Sequence, residues 1–457
     1  MLRPVGATNS LMLAATASLP PGWQVGCVPF VLLLLAISLL PLIRFTRHWW
    51  ESNWSKLVVS LMAGGATMLW LAMADTTAAA GAAMLHSLHE YLPFIVLLTS
   101  LYAISGGIAL RCQFQPTPRV NAAIMLIGAA LASVIGTTGA AMLLIRPLLQ
   151  VNAKRTRVAH TIVFFTFLVA NIGGLLLPVG DPPLFLGYLR GVPFFWTLAM
   201  WPQWALAVGG VLTIYLLVDS FLWRCEPEAA RRGEGASQRR LHLQGSVNFL
   251  WLAGVLASVV VLVPGSKMGG VLVPEWAREV AMAGFTITSL CTTPAGVRQQ
   301  HHFSWGPMLE VAALFAGIFL AMQVPLLALS LHGAGLGISS PVHFFWVSGV
   351  LSSVLDNAPT YLTFLETAQA VTREDAAGGA VTALTGGAVV RTDLLTAISL
   401  GSVFMGAMTY IGNGPNFMVK AVAEHAGVRM PTFGGYLLWS MAVLLPVFGL
   451  ITVIFLR

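Results

Sequence analysis

Apolar runs of the length that crosses a hydrocarbon layer recur along this chain, at about residues 27–43, 57–74, 93–110, 158–178, 198–222, 246–264, 279–294, 307–329, 393–413 and 432–456. A membrane-spanning helix takes about 20 apolar residues, so ten crossings are predicted. Only 9% of the residues are charged, against about 25% in a typical soluble domain. Water cannot be the main solvent of such a chain, and its first partner is the lipid bilayer. The expected class is an all-α integral membrane protein, a multi-pass protein of the cell (inner) membrane.

The net charge of +7 comes from short basic clusters between the apolar runs. These read as topology signals, not as a nucleic-acid surface. Threading the crossings with the N-terminus outside puts Arg44, Arg47, Arg155, Arg157, Arg224 and most other basic residues on the inner face. Cys27, Cys112, Cys225 and Cys291 lie far apart, without zinc or redox spacing. His301 and His302 stand too isolated for a metal site. Only Arg3 precedes the apolar start, a weak signal-peptide pattern ending near Ala17, and no cleavage is expected there.

Two apolar segments do not read as single spans. Residues 120–149 and 342–371 carry Gly, Thr, Asn or Pro at their centres, and each enters and leaves on one face in the threading above. They are expected to be re-entrant hairpins of opposite sense. Irregular backbone at membrane depth is tolerated only where protein or a water-filled cavity buries it. Each half then reads as three crossings, a hairpin and two crossings. Two inverted repeats are predicted, 1–222 and 246–457, joined by a cytoplasmic linker at 223–245.

Four motifs interrupt the apolar pattern. The first hairpin turns at Gly136-Thr137-Thr138-Gly139, and the second at Asp356-Asn357-Ala358-Pro359-Thr360. A long helix after each hairpin is broken, at about 158–190 by Asn171-Ile172-Gly173-Gly174 and Gly180-Asp181-Pro182-Pro183, and at about 393–422 by Tyr410-Ile411-Gly412-Asn413-Gly414-Pro415-Asn416. Gly and Pro interrupt the helical ladder and free backbone groups for an ion. The candidate ion-binding residues are Thr137, Thr138, Asn171, Gly173, Asp181, Asp356, Asn357, Thr360, Gly412, Asn413 and Asn416, with a possible Na⁺ at Asp181, Asp356 and Asn357. An Asp before Pro-Pro is also a standard helix start, and a capping Asp can still face an ion. Glu310 and Glu366 are expected to pair with bases or line the path, and Asp75, Asp219 and Arg391 to be solvated at helix ends.

In their order, the motifs Asn171-Ile172-Gly173-Gly174, Gly180-Asp181-Pro182-Pro183 and Asp356-Asn357-Ala358-Pro359 resemble the ion transporter superfamily. Its members include arsenite permeases, sodium/proton antiporters of the NhaD type, citrate transporters and dicarboxylate/sodium symporters. The resemblance implies a scaffold domain, a transport domain holding both hairpins and both broken helices, a homodimer, and elevator-type movement. Leu184 stands where arsenite-permease-like chains usually carry Asn. The Ser-Asn-Thr signatures of the dicarboxylate symporters match Thr137-Thr138 and Asn357-Ala358-Pro359-Thr360 poorly. The nearest likeness is to the citrate-transport branch, often labelled sodium/proton antiporter.

The expected function is secondary active transport of a small ion. No phosphate-binding GxxxxGK[ST] loop occurs, and no cofactor is expected beyond Na⁺ and H⁺ as coupling or transported ions. Desolvation and mutual repulsion work against two adjacent carboxylates, which suits Asp181 and Asp356 to exchange of a proton for a cation. Citrate, a dicarboxylate or an arsenite-type anion is the alternative cargo. An intramembrane aspartyl protease is a third reading, but its Tyr-Asp and GxGD pairs are replaced here by Leu355-Asp356 and Pro178-Val179-Gly180-Asp181. The chain is not expected to be an enzyme.

Overall fold

A computed structural model describes residues 19–41, 43–228, 240–300, 303–375 and 379–457. The N-terminal signal-like stretch, most of the basic part of the linker, and His301 and His302 lie outside the described residues.

The first half contains α1 (Trp23–Leu39), α2 (Arg44–Trp50), α3 (Asn53–Ala74), α4 (Thr77–Ser105), α5 (Pro118–Ile135), α6 (Thr137–Val151), α7 (Ala159–Leu168), α8 (Pro182–Leu189) and α9 (Trp201–Arg224). The second contains α10 (Val247–Val261), α11 (Ala277–Thr292), α12 (Ala295–Gln300), α13 (Gly306–Ala321), α14 (Gln323–His332), α15 (Pro341–Val354), α16 (Asn357–Glu374), α17 (Thr392–Met405), α18 (Gly414–His425) and α19 (Phe433–Phe455). Among the described residues, sheet is confined to two-stranded antiparallel ribbons. In the longest, Ala109–Gln113 pairs with Arg240–Gln244, Leu110 opposite Leu243, and ties the far end of the linker to the end of α4.

Each predicted crossing coincides at least in part with helix. Among the described residues, five helical stretches are long and apolar enough to span a membrane: Asn53–Ala74, Thr77–Ser105, Pro118–Ile135, Phe194–Arg224 and Phe433–Phe455. Gly306–Ala321 with Gln323–Leu336, bent by 47°, counts as a sixth where the pair is taken as one span. Large apolar side chains such as Met62, Met73, Leu217, Phe221 and Leu438 stand on the outside, where lipid and not water must meet them. The protein is therefore an all-α, multi-pass membrane protein. Helix starts follow local rules: the Ser52 hydroxyl accepts from Trp54 N at the start of α3, and Thr76 from Ala79 N at the start of α4.

The sequence 120–149 folds as a helical hairpin. Gly136, at φ 81°, makes the turn in a region that side chains avoid. The arms run back along one another until Asn121 and Asn152 exchange amide hydrogen bonds of 2.9 and 2.8 Å. One arm exceeds expectation, because α5 alone has 18 residues and the composition of a span, or about 27 Å at 1.5 Å per residue. The second hairpin, α15 with α16, reverses at Leu355 and Asp356 and brings the Phe344 and Phe364 rings to 6.1 Å. Both predicted helix breaks are present. Short 3₁₀ turns, Ile172–Leu175 and Pro178–Gly180, separate α7 from α8, and Gly406–Met408 follows α17 before α18.

Candidate functional site

The helices that follow each turn or break all begin at one place. α6 starts at Thr137; α8, α16 and α18 have Asp181, Asp356 and Asn413 at their N-cap positions. Each such end carries about half a positive elementary charge, although α8, which opens on Pro182-Pro183, offers no free N–H there. The Asp181 carboxylate sits at their meeting point. Its Oδ1 accepts from Thr137 Oγ1 at 3.1 Å and Asn413 Nδ2 at 3.2 Å, and its Oδ2 from Asn357 Nδ2 at 2.8 Å. Asp181 makes no side-chain capping bond to α8, so it does not serve that helix alone. Among the described residues no lysine or arginine pairs with it. Asp181 is only 1% exposed, and every group holding its charge is neutral.

A second tier of amides supports this arrangement. Asn171 Nδ2 donates to Thr166 O at 2.8 Å and to Asn416 Oδ1 at 2.7 Å, and Asn416 Nδ2 donates to Gly406 O and Thr409 O at 2.8 and 2.9 Å. Asn413 Nδ2 also reaches Ala170 O and Asn171 Oδ1, both at 3.2 Å. One buried network thus joins both hairpin turns and both helix breaks.

The broken ladders are largely repaired by hydroxyls that sequence reasoning did not single out. Ser133 Oγ donates to Gly173 O and accepts from Leu176 N at 3.1 Å, bridging the first break. Thr409 Oγ1 donates to Ser353 O and accepts from Gly412 N at 3.1 Å across the second. Gly173 and Gly412 allow close backbone approach: a Cβ on Gly173 would lie 2.6 Å from Ala129 Cα, and one on Gly412 2.7 Å from Gly406 O.

Three predicted residues lie beside the network. Thr138 is half-buried and takes no part in it. Thr360 Oγ1 turns back to Asp356 O at 2.9 Å. Asp356 is half-buried and accepts from Ala358 N at 3.0 Å, capping α16; its charge still acts on Asp181. Of the three residues expected around Na⁺, Asn357 therefore presents a donor to Asp181. Among the described residues no cluster of His, Cys, Asp and Glu could hold a metal ion.

A family model described as "Putative citrate transport" matches residues 20–456. The chain belongs to this family. It is also 25% identical over 284 residues to inner membrane protein YbiR of Escherichia coli (strain K12), covering 59% of this chain and 70% of that protein.

Several charged groups in this citrate-transport family member lie away from the network. Arg190, just after α8, binds Glu90 of α4 at 2.6 Å and Glu366 of α16 at 3.1 Å, with His86 at 3.4 Å from Glu90. Glu310 likewise pairs with Lys56 at 2.7 Å. Asp219 and Arg391 correct an expectation. Asp219 is not solvated: it is 0% exposed and holds Arg155, His160 at 2.8 Å and Tyr215 at 2.8 Å. Arg391 is also ion-paired, to Asp375 at 3.1 Å and Asp393 at 2.6 Å. Glu226, beyond the end of α9, accepts from the Thr156 hydroxyl and from the N–H groups of Thr156 and Arg157. Burial works to raise its pKa, but these bonds and Arg155 outweigh it and hold the carboxyl below its usual range.

Proposed function

We propose that this protein is a secondary active transporter of the cell inner membrane that exchanges sodium for protons at Asp181. The observation that carries this reading is a buried carboxylate that, among the described residues, is held by Thr137, Asn357 and Asn413 alone. A buried charge without a partner costs several kcal/mol even after relaxation. The four helix ends offset part of that cost, and a proton or a monovalent cation supplies the rest. Because either one completes the seat, each displaces the other. Alternating release on the two faces then makes the exchange. The halves 1–222 and 246–457 are read as inverted repeats around this site, with elevator-type movement in a homodimer. The inner-membrane location is supported by the name of the E. coli relative.

The description of the family and the convergence of helix N-termini favour a second reading, transport of citrate, a dicarboxylate or an arsenite-type anion. Against it, a multivalent anion at the turns would face the Asp181 charge. Purified protein in liposomes with an internal pH dye, challenged in turn with Na⁺, Li⁺, K⁺, citrate, succinate and arsenite, decides between them. Proton movement on Na⁺ or Li⁺ addition alone supports exchange. A response to the anions alone overturns it.

A further inference from the structure

Asn413 differs from the other amides of the network. The donors of Asn171 and Asn416 are each committed to two oxygens at 2.7 to 2.9 Å, which fixes both orientations and turns Asn171 Oδ1 towards Asn413. Asn413 Nδ2 instead faces three oxygens, Ala170 O, Asn171 Oδ1 and Asp181 Oδ1, all at 3.2 Å. A primary amide has two hydrogens, so three acceptors cannot all be served well. With the amide turned over, four oxygens would face one another, an arrangement that a cation would hold together.

We infer that Ala170 O, Asn171 Oδ1 and Asp181 Oδ1 form the seat of the transported cation, and that the Asn413 amide nitrogen occupies this seat when no cation is bound. The inference rests on the sodium/proton exchange reading and names its ligands. Hard oxygen donors suit an alkali or alkaline-earth ion. A single carboxylate balances a single positive charge, whereas calcium sites assemble six to eight oxygens with several carboxylates. The cation is therefore monovalent. When it enters, Asn413 turns its amide, withdrawing a donor and presenting Oδ1 as a fourth ligand. The main-chain carbonyl of Ala170 is available because the chain leaves helical geometry at Asn171, φ −142° and ψ −83°. The set brings together residues from both helix breaks, α7 to α8 and α17 to α18, and does not need the side chains of Asp356 or Asn357 as ligands.

The test is equilibrium binding of radioactive Na⁺ to the purified full-length protein at alkaline pH, with thermal melting of each variant as a folding control. Asn413→Asp keeps the ligand oxygen, removes the competing N–H and adds charge, so Na⁺ should bind about tenfold tighter or more; Asn171→Ala removes one oxygen and should weaken binding by about tenfold. Thr138→Ala, outside the seat, should bind as the wild type does. If Asn413→Asp fails to fold, Asn171→Ala decides alone. Wild-type binding with Asn171→Ala unchanged, or with a folded Asn413→Asp bound more weakly, overturns this seat and leaves the exchange reading standing. No Na⁺ binding by the wild type at any pH overturns both.

Discussion

Thr137 and Asn357, at the turns of two different hairpins, donate to opposite oxygens of the one Asp181 carboxylate, at 3.1 and 2.8 Å. Both turns therefore sense the state of a single group. Asp181→Asn should abolish proton-coupled flux in liposomes while the protein still folds, and any residual cation binding should no longer vary with pH. Thr137→Val removes one donor with little change of shape. A hydrogen bond to a charged group contributes about 1.5–3 kcal/mol, so cation affinity should change by about tenfold or more. Antiport unaltered by both substitutions would disprove the exchange role of Asp181.

Gly173 and Gly412 lie against backbone, not against side chains that could yield. Overpacking a well-filled site costs about 1–3 kcal/mol. Gly173→Ala and Gly412→Ala should therefore lower the melting temperature in detergent, and the leucine variants should abolish transport. A Gly173→Ala protein as stable and active as the wild type would show that the contact with Ala129 relaxes freely.

Arg190 holds Glu90 and Glu366 from two other helices. Its removal leaves two mostly buried carboxylates without the cation they share, and breaking such a group costs about 3–5 kcal/mol. Arg190→Ala should melt several degrees lower, and Glu366→Gln in the same chain should recover part of the loss. The double-mutant cycle measures the coupling. Additive effects would mean that the three side chains do not act together.

Glu226 supplies a prediction with a definite sign. Its carboxyl pKa is lowered in the fold, so the stability it contributes is present above the unfolded value, about 4.3, and is lost as pH falls through the folded value. The bonds to Thr156 and Arg157 should loosen in that acid range, and Glu226→Gln should flatten the acid limb of the melting curve between about pH 3 and 5. An unchanged acid limb would show that another group controls it.

The inverted repeat can be tested from the open ends of the hairpins. In a background without Cys27, Cys112, Cys225 and Cys291, Ala153→Cys and Ser339→Cys, both at exposed positions, should react with impermeant thiol reagents from opposite faces. Labelling of both from one face would overturn the antiparallel arrangement of the halves.

The hairpins, the breaks and Asp181 were legible because Gly, Pro, Asn and Asp are costly inside apolar runs and stand out there. Thr138 and Thr360 stand near site residues in sequence but outside the network in space. Consecutive helical residues point about 100° apart, so Thr137 reaches Asp181 and Thr138 does not. Ser133 and Thr409 looked like ordinary hydroxyls, since nothing local says which helix hydroxyl will meet a broken ladder elsewhere. Asp219 differs from its sequence-based expectation for a related reason. Its position at a helix end suggests water, and its partner Arg155 lies 64 residues away, so only the tertiary fold reveals the pair.

The Asn121–Asn152 amide pair and the adjacent Arg155–Asp219 knot tie the open end of the first hairpin to α9. Such an anchored base cannot splay without leaving an arginine and an aspartate unpaired inside the protein. Amides around Leu148 to Val151 should then resist deuterium exchange far longer than those around the Gly136 turn. Any excursion of the turn large enough to carry an ion would have to take α5, α6 and α9 along as one piece.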